Sequence, residues 1–105
     1  MTKTIRSLLV LTAAVTLAGA VGFAQSSGEA NYKAKCQMCH GSNGTPNPGI
    51  AKMMGVKAVS DPDIKKLSAD DMFAAVKNGK GKMKPVAGLT DAQIKDAVAY
   101  YRSLK

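Results

Sequence analysis

The stretch Cys36-Gln37-Met38-Cys39-His40 decides the fold of this 105-residue chain. Its C-x-x-C-H spacing is the pattern that attaches a c-type haem. The two thiols, about one helical turn apart, add across the haem vinyl groups, and the next residue presents an imidazole to the iron. Cys36 and Cys39 are the only cysteines in the sequence, and His40 is the only histidine. The motif therefore predicts one covalently bound haem c, with His40 as an axial ligand and a sixth iron ligand from elsewhere in the chain.

The start of the chain differs in composition from the rest. A short basic segment precedes an uncharged run at 7–24 that is rich in Leu, Val and Ala, as in a secretory signal peptide. We expect residues 1–24 to be removed by cleavage before Gln25, with cleavage after Ala20 as the second choice. That leaves a single haem domain at 25–105 in a periplasmic, exported protein. The alternative is a membrane anchor that is not cleaved, because an uncharged run of this length is just long enough to span a bilayer.

The charge balance narrows the class of partner. The formal net charge is +8, and two of the positive charges lie in the leader. A basic protein binds nucleic acid, an anionic membrane or an acidic protein. An exported chain without basic residues interleaved with aromatic ones does not fit nucleic-acid binding. We therefore expect redox protein partners with an acidic docking face, no nucleic acid and a monomeric state.

Helix caps and apolar spacing predict an all-α fold without strands. A first helix is expected over Ser26–His40, a second over Ser68–Asn78, and a last one after the capping residue Thr90. The segments 41–49 and 79–88 are rich in glycine and proline and cannot continue a helix. We expect three to five helices wrapped around one covalently attached haem.

The segment that follows the motif contains two prolines with a further predicted role. A carbonyl of Pro46 or Pro48 would accept the second ring N–H of His40, which fixes the imidazole and raises its basicity. The sequence does not choose between the two prolines.

A methionine is the natural sixth ligand, because a thioether raises the reduction potential of a haem with one histidine ligand. Met38 lies inside the motif, on the wrong side of the ring. Met72 is explained by core packing, which is the most common role of a methionine on a helix. Met53 and Met54 follow His40 closely, through a segment crowded with glycine and proline.

Met83 is the methionine that packing explains least. It lies between two predicted helices, in the polar loop Gly-Lys-Gly-Lys-Met-Lys-Pro at 79–85, with nothing apolar beside it. We therefore favour Met83 over the pair Met53 and Met54. Lys82 or Lys84 would serve as a ligand only when deprotonated, which is a minor option near neutral pH.

These features give the sequence a resemblance to the class I cytochromes c, particularly the small bacterial monohaem kind. The resemblance covers essentially the whole of 25–105. It is carried by three stretches: Gly28-x3-Tyr32-x3-Cys36-x2-Cys39-His40, Asn78-Gly79-x-Gly81-x-Met83, and Gly88-Leu89-Thr90 with the later Tyr100.

The resemblance implies a haem held by Cys36, Cys39, His40 and Met83. It also implies that the first and last helices cross, so that Gly28 and Tyr32 meet Val98, Tyr100 and Tyr101. One departure from the family pattern concerns the loop, where Lys84 stands between Met83 and Pro85, whereas proline often follows the ligand directly.

The predicted function is a soluble electron carrier that cycles between Fe(III) and Fe(II), without enzymatic activity. An electrostatic docking face is expected around Met83, formed by the lysines Lys77, Lys80, Lys82 and Lys84. The alternatives are a dedicated haem subunit of a larger dehydrogenase or oxidase and a peroxidase-like enzyme with an open iron site. A thiol oxidoreductase or zinc site at Cys36 and Cys39 is disfavoured, because no βαβ pattern and no second ligand pair accompany the motif.

Overall fold

The computed structural model describes residues 27–105, and this part of the chain is helical, which confirms the all-α class. The predicted signal peptide, its cleavage site and the cap at Ser26 lie outside the described residues and stay predictions. No helix between residues 27 and 105 is long and apolar enough to cross a membrane. Six helices follow one another: α1 at 27–35, α2 at Gln37–His40, α3 at Pro48–Met54, α4 at Pro62–Lys65, α5 at Ala69–Asn78 and α6 at Asp91–Ser103.

The described part has six helices rather than three to five because one predicted helix is divided and two helices are single turns. Cys36 lies between α1 and α2 with φ −114°, so the helix expected up to His40 appears as two pieces. Both α2 and α4 contain four residues. Helical i to i−4 hydrogen bonds nevertheless continue through Cys36, since its amide donates to the Tyr32 carbonyl over 2.8 Å and its carbonyl accepts from the His40 amide.

The two longest fully described helices begin where the sequence predicts. The Ser68 side chain caps α5, and Asp71 completes a capping box by accepting from the Ser68 amide. Thr90 and Gln93 form the same reciprocal pair at the start of α6. Each box satisfies amides that have no partner within the helix, so these starts are set locally.

The core lies where α5 packs on α6. Met72, Ile94 and Val98 are buried there together. Half-buried apolar side chains surround this cluster: Ile64, Leu67, Phe73, Val76, Leu89 and Tyr101. The described part buries six hydrophobic side chains in all, which is a small core for a domain of this size. Burial of Met72 also confirms that packing explains this methionine.

α1 crosses α6 at a glycine, as the family resemblance implies. A Cβ on Gly28 would collide with the Asp96 carbonyl and lie 3.2 Å from the Tyr100 Cβ, so only glycine allows this approach. One turn later, the Tyr32 ring packs on Tyr100 and Tyr101, at centroid distances of 5.3 and 5.9 Å. The crossing therefore brings the start of the haem motif against the last helix.

Candidate functional site

The three motif residues lie on one helical turn. The His40 amide donates to the Cys36 carbonyl over 3.0 Å, and the Cys39 amide approaches the same oxygen at 3.3 Å. Both thiols are free and half-buried. Burial raises the pKa of the Cys36 thiol. A reactive thiolate needs the opposite shift, so this environment disfavours a thiol oxidoreductase.

The His40 imidazole is held in a partly buried position beside α6. Its ring meets the edge of Tyr101 at a centroid distance of 5.4 Å. Burial lowers the pKa of His40, which favours the neutral imidazole that binds metals. His40 Nδ1 is the one buried side-chain nitrogen or oxygen in the described residues that lacks a hydrogen-bond partner. A buried polar atom without a partner is costly, which marks this imidazole as a group arranged for a ligand or a further acceptor.

The predicted hydrogen bond from a ring N–H of His40 to a carbonyl of Pro46 or Pro48 stays a prediction, because the unpartnered Nδ1 does not choose between a proline carbonyl and the iron. Pro46 is buried, whereas Pro48 is exposed as the first residue of α3. Other contacts fix the segment between them and His40. The Gly44 carbonyl accepts from the Val59 amide over 2.8 Å, which joins this segment to Val59.

Tyr32 also holds the chain just after His40. Its hydroxyl donates to the Gly41 carbonyl over 2.6 Å, one residue beyond His40. The side chain is 1% exposed, and burial raises the pKa of Tyr32, so the hydroxyl stays protonated and donates. Tyr32 and Tyr101 thus hold the motif through a hydrogen bond and a ring contact.

Met83 closes a tight turn in the loop after α5. The amides and carbonyls of Lys80 and Met83 exchange two hydrogen bonds of 2.9 and 3.0 Å. Gly79 precedes the turn with φ 83°, and a Cβ there would lie 2.9 Å from the Met83 carbonyl oxygen. The Val86 amide then donates to the Val76 carbonyl over 2.9 Å, which returns the loop to α5.

The methionines differ in exposure. Met38 is 86% exposed and Met53 is 67% exposed, and Met54 is exposed as well. Met83 is half-buried although its neighbours in the loop, Lys82 and Lys84, are exposed. Within residues 27–105 no hydrogen bond joins the Met83 loop directly to the segment from Cys36 to His40.

The four predicted docking lysines fall into different environments. Lys77 pairs with Asp91 at 2.8 Å and lies over the Phe73 ring, so its charge is largely compensated. Lys82 donates to the Met53 carbonyl over 2.9 Å. Lys80 and Lys84 are exposed, and neither has an acceptor within hydrogen-bond distance in the described part.

The donor set fits a covalently attached haem. Two free thiols lie a turn apart, and a neutral imidazole with an unpartnered nitrogen follows them directly. The small core and its rim of half-buried apolar side chains also suit a large apolar plate. A cavity of about 540 Å³ lies between α5 and α6, and one of about 130 Å³ lies between Val59, α4, Met72 and the end of α6; no motif residue lines either. The fit therefore rests on the donors.

Two contacts at this site are not visible in the sequence. The ring contact between His40 and Tyr101 joins residues far apart in the chain, and the only hint is the position of Tyr101 on the apolar face of α6. The hydrogen bond from Lys82 to Met53 leaves no trace in the sequence, because any backbone carbonyl can accept.

Comparisons with known proteins agree on one family. Residues 23–100 match the profile of the family described as cytochrome C oxidase, cbb3-type, subunit III. Cytochrome c-555 of Chlorobaculum thiosulfatiphilum is 37% identical over 83 residues, which covers 71% of this chain and 90% of that protein. The structure of the c-type cytochrome KustC0563 superposes with a TM-score of 0.66 at 26% identity, covering 74% of this chain and 96% of that one.

Proposed function

Because this chain belongs to the cytochrome c family, as a small class I electron carrier with covalently bound haem c, we propose that His40 and Met83 are its axial ligands. Cys36 and Cys39 would form the two thioether links. The bound haem supplies one-electron chemistry as its iron changes between Fe(III) and Fe(II). The observation that carries this proposal is the turn from Cys36 to His40, with two free thiols and a buried imidazole that has an unpartnered nitrogen.

Exposure and packing support Met83 as the second ligand. Met38 and Met53 are largely exposed, and Met72 is packed in the core. Met83 is half-buried in a polar loop, where neither packing nor solvent accounts for it. A thioether with no other role is a suitable soft ligand for the haem iron.

The residues around His40 would hold its imidazole in a fixed orientation. Tyr32 holds the chain at Gly41, and Tyr101 packs on the His40 ring, so the imidazole is kept in one position. Filling both axial positions excludes small molecules from the iron. An iron site that is closed in this way suits an electron carrier and not an enzyme.

The test of ligation is an optical spectrum of the oxidised and reduced haem-loaded protein. We expect the wild type to show the thioether-to-iron charge-transfer band and to resist carbon monoxide when reduced. Met83→Ala should lose the band and bind carbon monoxide, whereas the control Met53→Ala should keep the wild-type spectrum. A Met83→Ala spectrum equal to that of the wild type would exclude Met83 as a ligand.

We propose that the partner is a redox protein with an acidic face, that it docks near the Met83 loop, and that the carrier acts as a periplasmic monomer. Lys84 has no ion-pair partner among the described residues, whereas Lys77 is paired with Asp91 and Lys80 lies near enough to Asp71 to help lower the pKa of that carboxyl. Association with the partner should slow as the ionic strength rises. Lys84→Ala should reduce this salt dependence, and Lys57→Ala should not, because Lys57 is paired with Asp63 at 2.6 Å. Rates independent of salt would contradict the docking face.

A second candidate role is that of a haem subunit in a larger complex. It is favoured by the matched family, whose description names a subunit of an oxidase. Purification from native membranes and from the periplasmic fraction separates the two roles. Co-elution with other redox subunits would support the complex, and recovery as a free monomer would support the carrier.

A further inference from the structure

In the part of the chain that the structure describes, the backbone of the loop that carries Met83 is hydrogen-bonded only within the loop and to α5, the helix before it. It leaves α5 at Gly79, closes the turn between Lys80 and Met83, and returns to α5 where the Val86 amide meets the Val76 carbonyl. All of these bonds join the loop to itself or to α5. They shape the turn, but they do not tie it to the part of the chain that follows His40.

One side chain makes that connection. Lys82 Nζ donates to the Met53 carbonyl oxygen over 2.9 Å, across 29 positions of sequence. Met53 lies in the last turn of α3, the helix that follows the segment after His40. Among the described residues, this is the one hydrogen bond that links the loop to α3. The bond therefore connects α3, which follows His40 in the chain, to Lys82, the residue directly before Met83.

The acceptor is suited to an ammonium group. The last carbonyls of a helix have no amide partner within the helix, so the Met53 oxygen is free to accept from outside. A charged donor makes a stronger hydrogen bond than a neutral one. Lys84 lies on the other side of Met83 in the same exposed loop, yet it has no acceptor within the described residues. The contact is thus particular to Lys82 and not a general property of the lysine-rich loop.

We propose that Lys82 is a positioning residue for Met83: its hydrogen bond to the Met53 carbonyl holds the loop against α3 and keeps the thioether on the iron. This role rests on the proposed ligation by Met83. It also separates Lys82 from the docking lysines, because its ammonium group is engaged within the chain. Without the bond, the loop should spend more time in a conformation that leaves the iron open to another ligand.

Imidazole added to the oxidised haem-loaded protein measures that open population. Apparent affinity for a ligand rises in proportion to the fraction of protein in the competent conformation. We expect Lys82→Ala to bind imidazole about tenfold more tightly than the wild type, which corresponds to about 1.4 kcal/mol. The matched control is Lys84→Ala, which loses the same charge from the same loop and should stay within about twofold of the wild type. Lys82→Arg keeps a charged donor and should restore most of the wild-type resistance.

Hydrogen exchange gives a second readout that does not depend on added ligand. The Met83 amide, which donates to the Lys80 carbonyl, should exchange faster in Lys82→Ala than in Lys84→Ala. Equal imidazole affinity and equal exchange in the two variants would overturn the proposal, and so would an equal increase in both, which would indicate a charge effect.

The spectra of the wild type and of Met83→Ala separate this inference from the function on which it rests. A charge-transfer band that is present in the wild type and absent in Met83→Ala supports the ligation, and the lysine variants then decide the role of Lys82. Absence of the band from the wild type overturns both.

Discussion

The two segments proposed to bind the haem iron are held in different ways. The segment at His40 is fixed from the buried side of the molecule, by the hydroxyl of Tyr32 and the ring of Tyr101. The loop at Met83 is held by hydrogen bonds alone: a four-residue turn, the bond from the Val86 amide to the Val76 carbonyl, and one lysine. Packed aromatic rings cannot move independently of the core, whereas exposed hydrogen bonds compete with water.

From this difference we expect the proposed histidine ligand to stay bound more persistently than the proposed methionine ligand. The histidine side shares its supports with the crossing of α1 and α6, so it should open only when the domain unfolds. The methionine side should open locally and at lower cost. Substitutions in the supports of the His40 segment or of the Met83 loop test whether the two segments open independently.

Removal of the Tyr32 ring should give the largest effect. Tyr32→Ala takes away a fully buried ring and should lower the free energy of unfolding of the haem-loaded protein by about 3–5 kcal/mol. Urea unfolding monitored by circular dichroism measures this loss of stability. Tyr32→Phe keeps the ring and loses only the hydrogen bond to Gly41, at about 1 kcal/mol. The exposed Met53→Ala should change stability by less than about 0.5 kcal/mol. A small effect of Tyr32→Ala would show that the histidine side is held by something else.

A substitution in the methionine loop should differ from Tyr32→Ala mainly by its effect on the spectrum of the haem iron. Gly79→Ala places a Cβ at a positive φ, which costs about 1–2 kcal/mol, and sets it against the Met83 carbonyl and Pro85, which adds about 1–3 kcal/mol. The displaced turn should weaken the thioether-to-iron band while haem stays attached.

Gly81→Ala is the matched control for this change. Gly81 also has a positive φ, of 58°, but a Cβ there meets nothing within 4 Å. It should cost only the backbone strain and keep the band. If both variants lost the band equally, strain rather than the contact with Met83 would be the cause.

The smallest effect should come from the cap of α5, the helix that leads into the methionine loop. Hydrogen bonding to the Ser68 amide and hydroxyl lowers the pKa of Asp71. A carboxyl with a lowered pKa in the folded state adds stability above its unfolded pKa of about 3.9, and this stability disappears as the pH falls through the folded pKa.

Urea midpoints measured at neutral and acid pH test this dependence. Asp71→Asn should be less stable than the wild type near pH 7, and the difference should vanish at a pH well below about 3.9. Asp70→Asn is the control, since Asp70 makes no hydrogen bond to the Ser68 amide. A difference between wild type and Asp71→Asn that stays constant with pH would contradict the ionised cap.

The sequence predicted well wherever the signal was local. The caps at Ser68 and Thr90 and the burial of Met72 follow from short patterns, and the structure confirms them. The resemblance correctly implied that Gly28 and Tyr32 meet the last helix. The hydrogen bond from a ring N–H of His40 to a carbonyl of Pro46 or Pro48 stays a prediction, since His40 Nδ1 has no hydrogen-bond partner among the described residues.

By itself, the sequence determined the helical class, the helix starts and the turn that brings two thiols and an imidazole together, since all of these depend on neighbours within a few positions. Only the tertiary structure decided which supports hold the two sides of the site. Tyr101 reaches His40, Lys77 finds Asp91 and Lys82 finds Met53 only after the chain has folded. Contacts of this kind depend on distances between elements far apart in the chain, and no local pattern of residue types encodes such distances.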